Sequence, residues 1–307
     1  MRSIRGWRLG LAGMAYLGLT TATAAAGDSY AFKIGAYAAY ALKDGQISAP
    51  NDGKLFGVGH SPEEISTLLK AAGAPPDHLD LSIQPLLVQA GPRTLLFDSG
   101  AGAFMGAAAG QLMASMSLAK VAPAQVTDIF ISHGHGDHVG GLIKADGTPA
   151  FVNATIHLSK PEWTWLKALT PEDTAKFGIP RHAALVAAMG PKIAAFEPDA
   201  QIISGVVKAV SIPGHTPGHS GYRIGSGVDT LLYIGDAMHH YVVSVQRPGW
   251  RILFDNDPAV AEASRQRLDA QGSASGERLY VVHFPFPGIG TIAKAGDGYR
   301  WQPDVPH

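Results

Sequence analysis

The chain has 307 residues, 46% hydrophobic and 16% charged, with a formal net charge of −1. That supports a sizeable core and excludes the basic footprint of a nucleic-acid or anionic-membrane binder. With no cysteine present, disulfides and thiolate metal sites are excluded, so any metal must be held by histidine and carboxylate.

Residues 1–26 stand apart. Arg2, Arg5 and Arg8 precede an apolar run from Leu9 to Leu19, and Ala24, Ala25 and Ala26 follow. This is the layout of a secretory signal peptide cleaved near Ala26. The apolar run is short for a membrane anchor. An exported protein, periplasmic or secreted, is expected, with no membrane attachment after cleavage. Loss of three arginines leaves 21 basic against 25 acidic residues, a net charge of −4. Residues 27–307 show no repeat and no shift in composition, so one domain is expected.

Strand-like runs are expected at Tyr30 to Ala39, Leu81 to Ala90, Arg93 to Phe97, Val126 to Ser132, Thr155 to Leu158, Val206 to Ile212, Gly221 to Ile224, Leu231 to Ile234 and Arg278 to His283. Helices are expected between them: Pro62 to Ala72, Gln111 to Lys120, Pro161 to Leu169, Arg181 to Met189 and Pro258 to Ala270. The first has Ser61 as N-cap, Pro62 in its first turn, and Glu63 and Glu64 where the helix dipole favours acids. Strands first, then strands and helices mixed, argue for an α/β sandwich over an all-β barrel.

The segment His133-Gly134-His135-Gly136-Asp137-His138 follows the apolar run Ile129-Phe130-Ile131. Along an extended chain, alternation sends His133, His135 and Asp137 to one side. Gly134 and Gly136 permit a turn that returns His138 to the same pocket. Three imidazoles and a carboxylate at the end of a buried strand can hold divalent cations. Four further segments place a potential ligand or orienting group just past an apolar strand: Asp98, the stretch Pro213 to His219, Gly235-Asp236, and His283. Loops at core strand ends are where a scaffold presents functional groups.

These motifs, in this order from residue 98 to 283, resemble the metallo-β-lactamase superfamily. The runs His133 to Leu142, Gly214 to Tyr222 and His283 to Gly290 are similar to those of methyl parathion hydrolases and lactonase-like exported hydrolases. The resemblance implies a four-layer αβ/βα sandwich with a two-metal site between its sheets. It implies that His133, His135 and His215 bind a first metal, that Asp137, His138 and His283 bind a second, and that Asp236 bridges them. Asp98 and His219 are expected to orient ligands without touching metal. Phe104, Trp165 and Phe177 fall where the resemblance places pocket aromatics. His239 and His240, just after Asp236, are candidates to line the pocket or carry protons. His60, His78, His157, His182 and His307 are not expected to be ligands.

Seven N and O ligands leave two partly open sites, as catalytic metals need. Zinc is the expected metal; iron, manganese and cobalt also suit imidazole and carboxylate. Two cations sharing a water lower its pKa, and the bridging hydroxide can attack a carbonyl or phosphoryl centre, with Asp137 and Asp236 in the catalytic set. The expected substrates are small neutral esters, lactones or phosphotriesters. Thr291 stands where organophosphate-degrading relatives would carry histidine, which weakens the phosphotriester expectation. The alternatives are a true metallo-β-lactamase and a non-catalytic, metal-containing ligand-binding protein. A small-molecule substrate and a homodimer are the expected partners, with no nucleic acid.

Overall fold

A computed structural model describes residues 27–179 and 181–305. The expected leader and His307 lie outside the described residues.

Strands β1 (Asp28–Ile34) and β2 (Tyr37–Lys43) form a hairpin. β3 (Gly45–Pro50) and β4 (His78–Ile83) pair as a separate ribbon, joined through helix α1 (Pro62–Ala71). β5 (Leu86–Ala90), β6 (Arg93–Phe97), β7 (Asp128–Phe130), β8 (Thr155–Ser159) and β9 (Ile193–Phe196) complete a seven-stranded sheet in the order β1-β2-β5-β6-β7-β8-β9. The second sheet is a run of neighbours: β10 (Gln201–Ile203), β11 (Val207–Ser211), β12 (Ser220–Ser226), β13 (Asp229–Tyr233), β14 (Arg278–Tyr280), β15 (Ile289–Ala295) and β16 (Gly298–Pro303).

Period-two alternation sorts the strand residues between faces. In β6, Leu95 and Phe97 face the second sheet, packing with Tyr222, Ile224, Leu231 and Tyr233. Leu96 between them faces a core shared with helix residues Leu112, Met116, Leu166 and Leu185. On the far side, Leu232 and Leu279 turn outward onto Leu268. Helices α2 (Leu112–Leu118), α4 (Lys160–Ala168) and α6 (His182–Met189) therefore cover one sheet. The 18-residue α8 (Pro258–Ser275) covers the other. The result is the expected α/β sandwich of four layers.

Several elements differ from expectation. The run Tyr30 to Ala39 breaks at Gly35, which adopts a φ of 55° and starts the β1–β2 turn. Leu81 to Ala90 divides into β4 and β5 at Gln84-Pro85, where β4 leaves for its own ribbon. Helix α5 (Pro171–Lys176), capped by Thr170 and closed by Asp173, was not anticipated. The β15–β16 hairpin was also missed. Among the described residues, no helix is long and apolar enough to cross a membrane.

Candidate metal centre

β6, β7, β11, β13 and β14 all end at the same edge of the sandwich. There Asp98, His133, His215, Asp236 and His283 converge. Two of the groups of donor atoms that form are His133, His135 and His215, and Asp137, His138, Asp236 and His283. Asp236 reaches both. Its Oδ2 lies 3.5 Å from His215 Nε2 and 3.8 Å from His133 Nε2. Its Oδ1 lies 3.1 Å from both His138 Nε2 and His283 Nε2. All of these residues are buried except Asp137, which is partly exposed.

The local backbone differs from simple alternation. The chain is extended to His135, which sits at the N-cap of a one-turn helix, α3 (Gly136–Val139). Asp137 therefore reaches the pocket through a helical turn. Nor is either glycine needed for an unusual φ. A Cβ on Gly136 would lie 1.8 Å from the carbonyl oxygen of Gly178 and 3.0 Å from Phe104, so close packing excludes a side chain. Gly235 does need its freedom: φ is +50°, and a Cβ would meet His219 and Ser132.

The outer nitrogens of four imidazoles are tied to oxygen. His133 Nδ1 donates to Ser132 Oγ at 3.0 Å, His138 Nδ1 to Asp98 Oδ2 at 2.7 Å, His215 Nδ1 to Asp255 Oδ1 at 3.1 Å, and His283 Nδ1 to the Ser82 carbonyl at 2.7 Å. Each bond fixes a ring and turns a bare Nε2 inward, as outer partners of metal-binding histidines do. The inward atoms His133 Nε2, His138 Nε2 and Asp236 Oδ1 are buried without hydrogen-bond partners, and His135 turns its Nδ1 inward, 3.0 Å from His215 Nε2. Unpartnered buried polar atoms are costly. Three in one pocket, beside the His135 and His215 nitrogens, fit divalent cations.

Electrostatics supports that fit. Burial, then the neighbouring His138, keeps His133 well below imidazole's ordinary pKa; burial and His215 do the same for His135. Burial pushes His138 down, yet Asp236, Asp137 and Asp98 outweigh it and lift it well above the ordinary value. The carboxylate end of the pocket is short of positive charge, which a cation supplies in place of a proton.

Asp98 sits in the left-handed region at φ 57° and accepts four hydrogen bonds. They come from Ser132 N, Ser132 Oγ, His138 Nδ1 and Tyr233 OH, each at 2.7 Å. His219 spends both nitrogens on backbone: Nδ1 donates to the Ile212 carbonyl, and Nε2 accepts from Asp236 N, both at 3.0 Å. It is not within either donor group. His239 Nε2 lies 3.2 Å from Asp236 Oδ2, its ring stacks on His283, and with His215 and Asp236 it makes a third donor group. His240 is separate: its Nδ1 accepts from Val242 N and Val243 N, bracing the turn into α7 (Val243–Gln246).

Three aromatics flank the His135 side. Phe177 stacks on His135 with centroids 5.1 Å apart, and Trp165 lies 6.0 Å from His135 and 5.3 Å from Phe177. Phe104 packs beside Gly136. The remaining described histidines lie elsewhere: His60 stacks on Trp250, His78 pairs with Asp77, His157 with Asp128, and His182 meets the Leu166 carbonyl.

Sequence reasoning did not find Asp255, Glu162 or Ser132. Asp255 links His215 to the buried Arg265, whose Nη1 donates to Asp255 Oδ2 at 2.9 Å. Ser132 immediately precedes the first histidine, and that adjacency was the available signal. Asp255 lies in an irregular stretch with no periodic pattern to mark it.

A family model for the metallo-beta-lactamase superfamily matches residues 81–283. Comparison with curated proteins gives no match. Among solved structures, AidC, a dizinc quorum-quenching lactonase in complex with its product N-hexanoyl-L-homoserine, is similar with a TM-score of 0.85 and 28% identity. The similarity covers 92% of this chain and 99% of that one. The hydrolase AbOPH is also 28% identical, with a TM-score of 0.81 and the same coverage of both chains. A probable metal-dependent hydrolase from Staphylococcus aureus shares the fold at 20% identity, with a TM-score of 0.73, over 90% of this chain and 100% of that one.

Proposed function

The chain belongs to the metallo-beta-lactamase superfamily, and we propose that it is a dinuclear-metal hydrolase opening small neutral lactones, with aryl esters as related substrates. The observation that carries this reading is the pair of neighbouring donor groups, with Asp236 of one reaching His133 and His215 of the other, walled on the His135 side by Phe177 and Trp165. Such a pocket suits a small apolar substrate with one polar reacting centre. The 28% identity to a lactonase solved with an acyl-homoserine product supports the lactone class.

In this reading His133, His135 and His215 hold one cation, and Asp137, His138 and His283 hold the other, with Asp236 between them. Zinc is the proposed metal. When bound, two such cations lower the pKa of a shared water toward neutrality and oppose charge developing on the substrate oxygen. The protein's own groups fix the geometry. Asp98, Asp255 and Ser132 orient imidazoles, and Phe177 and Trp165 exclude water. Burial lowers His239 below the ordinary imidazole value, and its Nε2, 3.2 Å from Asp236 Oδ2, is placed to pass a proton there. Export with cleavage near Ala26 belongs to the same proposal; N-terminal sequencing of the secreted form checks it.

The test is metal content of purified protein together with turnover of an acyl lactone, an aryl ester, a phosphotriester and nitrocefin. Close to two metals per chain with lactone turnover is expected, and Asp236→Ala should lose both. Nitrocefin as the preferred substrate would replace this reading with a β-lactamase. Normal turnover by the Asp236→Ala variant would remove the two-metal mechanism.

A further inference from the structure

The motif Ser-x-x-Glu opens two helices. At Ser61 and Glu64 it closes a reciprocal capping box: Ser61 Oγ accepts from Glu64 N, and Glu64 Oε2 accepts from Ser61 N. That glutamate is exposed. At Ser159 and Glu162, the start of α4, only half of the box forms. Ser159 Oγ accepts from Glu162 N at 3.3 Å, but the Glu162 carboxylate does not return to the N-cap. It is fully buried.

Its oxygens are used elsewhere. Oε1 accepts from Gly134 N at 2.8 Å; Oε2 accepts from Thr216 Oγ1 at 2.7 Å and from Gly218 N at 2.9 Å. Gly134 lies between His133 and His135, and Thr216 directly follows His215. A single carboxylate thus joins the two loops that carry the first donor group. It has no bond to the loops of Asp236 or His283; Asp137 and His138 lie further along the Gly134 segment, beyond its bond, and there Asp98 orients His138 while the Ser82 carbonyl orients His283. The loops also fit closely around it: a Cβ on Gly218 would lie 2.2 Å from Glu162 N. Burial pushes the carboxyl up to about 7, while the two backbone N–H groups and the Thr216 hydroxyl aimed at its oxygens favour the carboxylate. A buried charge is retained at a cost unless it is fully bonded, and here every bond goes to the ligand loops of one site.

We infer that Glu162 is a positioning residue selective for the first cation site, setting the distance between the His133–His135 loop and His215. This rests on the two-metal reading above. A glutamine at 162 keeps the shape but turns an NH2 toward Gly134 N or toward Thr216 and Gly218 N, setting donor against donor. The two loops then lose their common anchor.

The experiment titrates metal-free wild type, Glu162→Gln, Thr216→Val and Glu64→Gln with cobalt(II), following the visible spectrum, and counts zinc retained through a graded chelator series. In Glu162→Gln, one of the two cations should bind about 10–100-fold more weakly, with the other unchanged. The spectral band assigned by a His215→Ala control should be the one lost. Thr216→Val, which removes one of three donors, should move the same cation by less. Glu64→Gln should lower the melting temperature and leave both affinities as in wild type. Two wild-type affinities in Glu162→Gln, or equal weakening at both sites, would overturn the inference. If Glu162→Gln does not fold, unchanged affinities in Thr216→Val overturn it. Wild type that takes up no pair of cations would overturn the underlying reading, a result distinct from a normal wild type with an unaffected variant.

Discussion

Asp98→Asn tests how the second site is held. Asp98 Oδ1 accepts one hydrogen bond, and Oδ2 accepts three, from Ser132 Oγ, His138 Nδ1 and Tyr233 OH. An asparagine presents oxygen to one side and NH2 to the other. If NH2 takes the Oδ2 position, the two hydroxyls can rotate to accept, but His138 Nδ1–H cannot. The imidazole must then move its proton to Nε2, the atom that faces Asp236 and Asp137. If the amide is reversed, Ser132 N–H faces NH2 instead. Either way one buried donor is unsatisfied and charge-assisted bonds are lost, costing about 2–4 kcal/mol. For a chain of this size that lowers the melting temperature of the metal-free protein by roughly 5–10 °C. The tautomer change should weaken the second cation about 10–100-fold. The first site should lose less, because Ser132 Oγ still accepts from His133. Thermal melts of metal-free protein and a chelator series on the loaded protein read both effects. A variant that keeps both cations at wild-type affinity would refute the claim that Asp98 sets the His138 tautomer.

Two further outcomes are expected. His219→Ala should reduce metal affinity less than His215→Ala, because His219 bonds only to the Ile212 carbonyl and Asp236 N; its main effect should be a stability loss of about 2–4 kcal/mol from two orphaned backbone groups and a small cavity. Equal metal losses in the two variants would make His219 a ligand. Asp128 supplies a pH-dependent term: burial pushes its carboxyl up, but hydrogen bonds from His157, Thr127 and Arg93 outweigh it and bring it down to about 2. A depressed carboxylate stabilises above its unfolded value near 3.9 and loses that contribution as pH falls toward about 2. Arg93 is half exposed and screened, so about 1–2 kcal/mol is expected. The gap in denaturation midpoint between metal-free wild type and Asp128→Asn should close between pH 4 and 2, and a constant gap would exclude this account.

What was legible in the sequence follows from how far each interaction reaches. The donors His133, His215, Asp236 and His283 stand just after apolar strand runs, and His135, Asp137 and His138 follow His133 in one short motif, so a local pattern marks them. The bonds that orient them are made over long separations: Ser82 to His283, Asp98 to His138, Asp255 to His215. Only Asp98 had a local signal, the end of β6. Glu162 was masked by a motif that reads as an ordinary helix start, and the competing bonds to two distant loops become visible only when α4 is docked. The same reason explains the backbone differences. Gly134 and Gly136 looked like turn residues, but it is the approach of Gly178, Phe104 and Leu166 that leaves no room there. His239 and His240 are sequence neighbours with the same chemistry, and only the turn into α7 separates one facing Asp236 from one bracing backbone.

The chain of buried charges behind His215 shows why metal and fold cannot be separated here. Arg265 is fully buried on α8, and it is balanced by Asp255, whose other oxygen holds His215 Nδ1. Breaking such a pair by removing one partner costs several kcal/mol, because the other charge stays buried. The helix covering the outer face of the second sheet is therefore tied to the first donor group through three side chains. At the other end, the pocket is short of positive charge, so His138 and His283 are drawn toward protonation. Cations that take over that role bind the folded state and not the unfolded one. Each then stabilises the fold in proportion to its own affinity and concentration. Residues that tune one site, such as Glu162 and Asp255 on the first and Asp98 on the second, thereby tune the stability of the layers they connect.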